Sequence, residues 1–387
     1  MKERNQEYFI TLTGAKKNAG DFLITERALK LLNYVAPEFE YRVRASWNEL
    51  HDIDEVNNSK GIIVLGGPGY GMNIYPGVYK LRKDLNDIQV PVYILGSGWY
   101  GRPGDKSSEA LYKFTNSGKE FLRMVERTSV GLSCRDYQTL RVLNNNGFNK
   151  VTMTGCPAWY DIGSIGKAFS VPTSIDKIVY TPAQDYRYRE QSLAVMGYLR
   201  ERYKNAELIV SFHRGIGTVD EYTSLKDASN TRQLASVAKE MDCKVVDSSY
   251  SAKKLDFYDH CDLHVGYRVH GHIYFLSKRL PTVLIHEDGR GKGVTEALGT
   301  PGVDAYARSP FSKLLINRQP NYYLAKIYGR LGLRQDKEVI GGLDDVLNTL
   351  EETGYSAFVN TAPLLDDYFE VMEQFVRNMI YDHGSGK

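Results

Sequence analysis

The sequence predicts an α/β protein built from two Rossmann-like halves, and three observations lead there. Strand-like apolar runs alternate with helix-like runs, the pattern of parallel sheets joined by crossover helices. The alternation stops at a stretch rich in Gly, Ser and Pro, residues 163–174, and then restarts. The chain of 387 residues is also longer than one hydrophobic core usually organises.

The elements follow in order. Residues 8–13 read as a strand, with a helix at 24–34 after a loop. Strands at 41–45, 61–65 and 92–95 come next, the last two running into GGPGYG and GSGWYG. A helix near 118–127, a strand at 128–133, a helix at 137–144 and a strand at 150–154 complete the first half. For the helix at 137–144, Asp136 is a good N-cap and Asn146-Gly147 a good stop. The second half reads as strand 177–181, helix 191–203, strand 207–212, helix 231–241 and strand 244–247. It closes with strand 263–265, a helix ending at Lys278-Arg279, and strand 282–285 after Pro281. Residues 343–353 and 363–380 carry apolar residues at helical spacing, a tail expected to pack back across both halves. The expected boundaries are 1–165, 175–320 and a C-terminal helical segment at 321–387.

Composition narrows the function classes. The chain is 42% hydrophobic and 25% charged, ordinary for a globular protein, and its formal charge of +2 argues against general nucleic-acid binding. The N-terminal residues lack a signal-peptide core, and no apolar run approaches a membrane span. Cys134, Cys156, Cys243 and Cys261 are scattered, which suits free thiols in a reducing compartment.

Candidate chemistry lies at strand ends. In a parallel sheet these share one edge, where open α/β sheets bind ligands. Arg268, His270 and His272 follow strand 263–265, and both histidines fall in the first turn of a helix, where free N–H groups favour an anion. Glu287, Asp288, Arg290 and Lys292 follow the neighbouring strand, and His213-Arg214 another; Arg187 and Arg189 lie after strand 177–181. In the first half, Asp21 serves equally as a helix cap or as a general base at the cleft. Arg135 serves equally as an anion ligand or as the partner of Asp136. GGPGYG lacks the Lys-Ser/Thr of a P-loop. GSGWYG matches GxGxxG only formally, since it follows a later strand than the fingerprint requires. Five of the eight histidines lie between 260 and 286. His260 and His264 are spaced i, i+4, but Asp262-Leu263 reads as the entry to a strand; His270 and His272 diverge on a helix and HExxH is absent, so no metal is expected.

At Arg268-Val269-His270-Gly271-His272 the chain resembles the polysaccharide pyruvyl transferase family, whose members carry Arg-x-His on a strand-to-helix turn. The Pro281-led strand, Asp288-Gly289-Arg290-Gly291-Lys292 and the following helical segment resemble the family's next element. Asn18-x-Gly20-Asp21, Gly66-Gly67, Gly96-x-Gly98-Trp99 and Ser133-Cys134-Arg135-Asp136 are similar to its other motifs, as is the tail at 355–379. At Gly155-Cys156-Pro157-Ala158, Cys156 departs from an Asp that members often carry.

The resemblance implies two Rossmann-like domains in a glycosyltransferase-B-like arrangement. It also implies transfer of pyruvate from phosphoenolpyruvate to two hydroxyls of a cell-surface saccharide, giving a cyclic ketal and phosphate. On that basis His270, Arg268, Arg135 and Asp21 are expected to be catalytic. Asn18, Gly20, Gly67, Trp99, His213, Arg214, His272, Asp288, Arg290 and Lys292 are expected to bind substrate, with Arg290 favoured over Lys292 for the donor. Phosphoenolpyruvate is a co-substrate, and no cofactor is needed. The implied acceptor is a saccharide, free or lipid-linked. The implied setting is the cytoplasm, compatible with peripheral contact at the inner membrane face and with homo-oligomers. Two rivals share the architecture: a nucleotide-sugar glycosyltransferase and a non-catalytic saccharide-binding protein.

Overall fold

A computed structural model describes residues 7–101, 104–308 and 333–381. The chain opens with β1 (Tyr8–Thr13), α1 (Ala19–Val35), β2 (Glu40–Ala45), α2 (Ile53–Asn57), β3 (Ile62–Val64) and β4 (Val92–Ile94). It continues through α3 (Lys106–Leu111), α4 (Asn116–Thr128), β5 (Leu132–Cys134), α5 (Tyr137–Asn144) and β6 (Val151–Met153). The strands form a parallel sheet in the order β2-β1-β3-β4. The β5-β6 pair extends it through a bridge between Ser97 and Cys134. Ile10, Leu12, Ile62, Val64, Val92 and Ile94 pack into one core, while Phe9, Ile63 and Tyr93 point into another. Alternate side chains of one strand leave on opposite faces, so both faces of this sheet are buried.

The second half comprises β7 (Lys177–Thr181), α6 (Arg189–Arg202), β8 (Glu207–Phe212), α7 (Leu225–Glu240), β9 (Lys244–Asp247) and β10 (Leu263–Gly266). α8 (Val269–Ser277), β11 (Thr282–His286), α9 (Gly289–Leu298) and β12 (Gly302–Asp304) follow. Their sheet is parallel, in the order β12-β11-β10-β7-β8-β9. The order reverses between β10 and β7, so a crevice opens at their carboxyl ends, the usual ligand position in such sheets. β13 (Tyr306–Arg308) and β14 (Leu333–Gln335) form an antiparallel pair.

Two helices end the chain, α10 (Val339–Glu352) and α11 (Thr361–Tyr381). α10 buries Leu343, Leu347 and Leu350 and bonds α6 through Tyr198 and Asp344. α11 crosses to the first half, where Phe369 lies 6.1 Å from Tyr34 and 5.5 Å from Tyr160 between ring centroids. It also holds the second half, through an ion pair between Arg279 and Asp366. The expected return of the tail is therefore present. The parts of the expected segments at 309–332 and 382–387 lie outside the described residues.

Some boundaries differ from the sequence reading. α1 starts at Ala19 rather than residue 24, because Gly20 and Asp21 read as a turn in sequence. α7 starts at Leu225 rather than 231, capped by the Ser224 hydroxyl, which accepts from the Asp227 N–H. Thr128 ends a helix instead of starting a strand.

Candidate active site

The carboxyl edges of the two sheets face each other, and backbone contacts join them. The Ala19 N–H donates to the His213 carbonyl (2.9 Å), and the Tyr250 N–H to the Lys17 carbonyl (2.8 Å). On the opposite flank the Gly289 N–H donates to the Gly101 carbonyl (2.9 Å). Side chains repeat the pattern. Arg268 donates to Asn18 Oδ1 (3.2 Å), and the Arg290 guanidinium sits 4.6 Å from the centre of the Tyr100 ring. Between these contacts lies a cleft of about 640 Å³. Asn18, Asp21, Pro68 and Tyr100 line it from the first half; Arg214, Arg268, Arg290 and Glu287 line it from the second.

Each cation is held by its local structure. Arg268 occupies the N-cap position of α8, and its backbone N–H donates to Thr181 Oγ1 (3.3 Å). Asp288 caps α9 and grips Arg290 with both oxygens, Oδ1 to Nε at 3.0 Å and Oδ2 to Nη2 at 2.8 Å. Arg214 donates to the Tyr222 carbonyl. Desolvation, together with repulsion from Arg214 and Arg290, pulls Arg268 down to about 10, so it stays charged at neutral pH. Desolvation pushes the Asp21 carboxyl up, against the Asn18 amide and the fields of Arg214, Arg290 and Arg268. Arg214, Arg268 and Arg290 therefore act on the same small volume as the proton-attracting Asp21; Arg187 also lines the cleft but is paired with Asp185, and Glu287 and Asp227 complete its charged lining. Guanidinium forks in this number suit an anion with more than one charged group. Among the described residues, no group of three or more His, Cys, Asp or Glu is placed to hold a metal ion.

The other expected residues are distributed as follows. His270 is only 7% exposed, packed against Gly20 at the start of α8, and is not part of the cleft lining. Its Nε2 has no hydrogen-bond partner among the described residues. Burial and the guanidiniums of Arg135, Arg290 and Arg268 hold this imidazole neutral. Arg135 is fully buried and does not line the cleft. It pairs with Asp136 (3.0 Å) and donates to the Trp99 carbonyl, while its Nη1 is unpartnered among the described residues. Gly67 lines a neighbouring annex of about 310 Å³ that shares Asp21 and Pro68 with the cleft.

Six expectations for substrate contact need correction. Gly20 is buried against His270, and Asp288 is 1% exposed and holds Arg290 instead. Trp99 is 2% exposed in the first-half core, edge-on to Tyr112; its neighbour Tyr100 faces the cleft instead. His213 is buried and bonded through Nε2 to the Tyr258 hydroxyl (2.8 Å). Lys292 is taken up by Asp304 (2.8 Å), which leaves Arg290 as the cleft cation of that pair. His272 is fully buried between Thr282 and Thr300.

His272 belongs to a buried relay under α8. Thr282 Oγ1 contacts both His272 Nδ1 (3.0 Å) and His264 Nδ1 (2.8 Å), and His264 Nε2 contacts Thr181 Oγ1 (2.8 Å). One hydroxyl proton cannot serve both Nδ1 atoms, so at least one of the two imidazoles carries its proton on Nδ1. Burial keeps both neutral, well below the usual 6.5. Below pH 6.5 the unfolded chain binds protons that the folded chain refuses, so their contribution to stability is full above 6.5 and is lost as pH falls. At pH 5.5 the loss is on the order of a few kcal/mol for the pair. Urea unfolding at pH 7.5 and 5.5 should reveal this drop, and replacing His264 and His272 with Gln should reduce it.

A family model described as polysaccharide pyruvyl transferase matches residues 18–289. The chain belongs to the polysaccharide pyruvyl transferase family. The matched span runs from Asn18 to the start of α9 and includes Asn18, Asp21, Arg214 and Arg268 of the cleft, and it ends one residue before Arg290. No curated protein matches the chain. Among solved structures, S. aureus MnaA with UDP is similar at TM-score 0.51 and 11% identity, over 97% of this chain and 96% of that one. A putative UDP-N-acetylglucosamine 2-epimerase from Listeria monocytogenes is similar at TM-score 0.51 and 10% identity, over 98% of each chain. At such identity the likeness concerns fold alone: Rossmann-like domains in a glycosyltransferase-B-like arrangement. No described helix is long and apolar enough to cross a membrane.

In this pyruvyl transferase family member, strand-end reasoning passed over Tyr100, Tyr222 and Lys17. Tyr100 was legible as the residue after Trp99 in a strand-end loop. Tyr222 and Lys17 sit in loops without any motif; the meeting of the two halves brings Tyr222 to the cleft and buries Lys17 against Asp220.

Proposed function

We propose that the chain transfers the pyruvyl group of phosphoenolpyruvate to two hydroxyls of a saccharide destined for a cell-surface polymer, forming a cyclic ketal and releasing phosphate. The observation that carries this reading is the convergence of Arg214, Arg268 and Arg290 beside Asp21 in the interdomain cleft. Phosphoenolpyruvate carries a carboxylate and a phosphate on one small carbon frame, and guanidinium forks match both.

The steps balance with these residues. Protonated His270 gives its proton to the methylene carbon, leaving a cationic centre at C2. A first sugar hydroxyl adds there as Asp21 takes its proton. The bond between C2 and the phosphate oxygen breaks with its electron pair going to the phosphate, whose growing charge the arginines stabilise. A second hydroxyl then adds at C2, and its proton leaves with the phosphate. Asp21 lies on the wall shared by the cationic cleft and the more apolar annex. This favours the donor on the arginine side and the acceptor sugar on the annex side, beside Trp47 and Val78. Arg135 joins as a donor ligand only if its free Nη1 meets a substrate oxygen. The cytoplasm, including lipid-linked acceptors at the inner membrane face, is the setting that fits this donor.

The test is phosphate release from phosphoenolpyruvate across a panel of saccharide acceptors, with the ketal identified by mass. Arg268→Ala should weaken donor binding and slow release, since it removes a central cation. Turnover of a nucleotide sugar without phosphate release from phosphoenolpyruvate would overturn the reading in favour of glycosyl transfer.

A further inference from the structure

We infer that Lys17 is a positioning residue that sets the loop carrying Asn18 and Asp21 against the loop carrying Arg214 and Tyr222. It touches no substrate in this reading. The inference rests on the proposed use of Asp21 and Arg214, and it adds the part that fixes their relative placement.

Lys17 is 1% exposed, an unusual condition for a lysine. Its ammonium has three N–H groups and meets three acceptors, all from the other half of the protein: Asp220 Oδ2 at 2.6 Å, Thr223 Oγ1 at 2.8 Å and the Thr218 carbonyl at 3.5 Å. Burying an ammonium costs several kcal/mol unless it is paired and hydrogen-bonded, as it is here. The bond to Lys17 also draws the Asp220 carboxyl down to about 2.

The geometry links this pair to the cleft on both sides. Lys17 directly precedes Asn18, which receives Arg268 and bonds Asp21 (3.2 Å). Asp220 accepts from the Tyr222 N–H (2.9 Å) and the Tyr250 hydroxyl (3.1 Å), and the Tyr222 carbonyl receives Arg214. The loop between Arg214 and Asp220 contains Gly215 and Gly217, both at positive φ (84° and 68°); α7 holds its middle, where Gly217 bonds Thr231 and Arg232, and Lys17 holds its end at Thr218 and Asp220. A single ammonium thus ties the loop carrying Asn18 and Asp21 to the loop carrying Tyr222, whose carbonyl receives Arg214.

Lys17→Met and Lys17→Arg in the full chain test this by three readouts: phosphate release, affinity for inorganic phosphate by calorimetry, and hydrogen exchange. For Lys17→Met, exchange should rise at 16–21 and 213–224 while α10 and α11 stay protected. Phosphate affinity should fall, and kcat should drop on the order of tenfold, below the 10²-fold cost of a 1 Å misplacement of a reacting group. Lys17→Arg, which keeps a charged donor, should recover most of each. Unchanged exchange in those loops, or a uniform rise with unaltered phosphate affinity, would overturn the inference. A wild type that releases no phosphate from phosphoenolpyruvate refutes only the donor assignment, because exchange and phosphate affinity still decide Lys17. Should Lys17→Met fail to fold, Asp220→Asn keeps the shape and should reproduce the same pattern.

Discussion

Replacing His270 with Ala is expected to lower pyruvyl transfer by roughly 10²–10⁴-fold, the scale of lost acid–base catalysis. The imidazole is buried and neutral in the unliganded protein, so it cannot give a proton as it stands. Two influences keep it so, desolvation and the fields of Arg135, Arg290 and Arg268. A donor with a carboxylate and a phosphate among those arginines cancels much of the second influence. His270 should then take up a proton as the donor binds, because a nearby negative charge favours the charged form. Calorimetry near pH 7.5 in buffers of different ionisation heat should detect that uptake in the wild type and less of it in His270→Ala. If donor affinity falls but the single-turnover rate of bound donor does not, His270 is a ligand and the acid lies elsewhere.

The sequence was most informative where physical periodicity is strict. β1, β7, β8, β9 and α5 have the boundaries their apolar patterns predict. The carboxyl-edge rule correctly grouped Arg214, Arg268 and Arg290. It could not say which of two adjacent side chains faces the cleft. Trp99 and Tyr100 are one residue apart and leave on opposite sides, so the larger aromatic entered the core. His270 and His272 differ by about 200° around a helix, which turns His272 toward β11 and into the threonine relay. Lys292 and Arg290 differ by the same rotation, and Lys292 meets Asp304. Arg135 shows another limit, since its pairing with Asp136 was readable but its complete burial depends on the close approach of Gly98.

Gly20→Ala should separate the placement of His270 from the stability of the fold. Gly20 lies in the first turn of α1 without positive φ, so Ala suits the backbone there and improves helix propensity by up to about 1 kcal/mol. The obstacle is His270. An added Cβ would lie 2.3 Å from Nδ1, 2.4 Å from Cγ and 2.6 Å from Cβ. Those atoms include the root of the side chain, so a rotamer change does not clear the clash and the start of α8 must move. Overpacking of this kind costs about 1–3 kcal/mol, which the propensity gain partly offsets, leaving a net loss of roughly 0–2 kcal/mol. Turnover has no such offset. A displaced acid should cost on the order of 10²-fold or more, approaching the loss in His270→Ala. Gly341→Ala, in open space on α10, is the matched control for helix propensity. A Gly20→Ala protein with wild-type turnover and a raised melting temperature would mean that the close approach of Gly20 to His270 has no part in the chemistry. A folded protein with turnover near that of His270→Ala would mean that the first half of the chain sets the acid carried by the second.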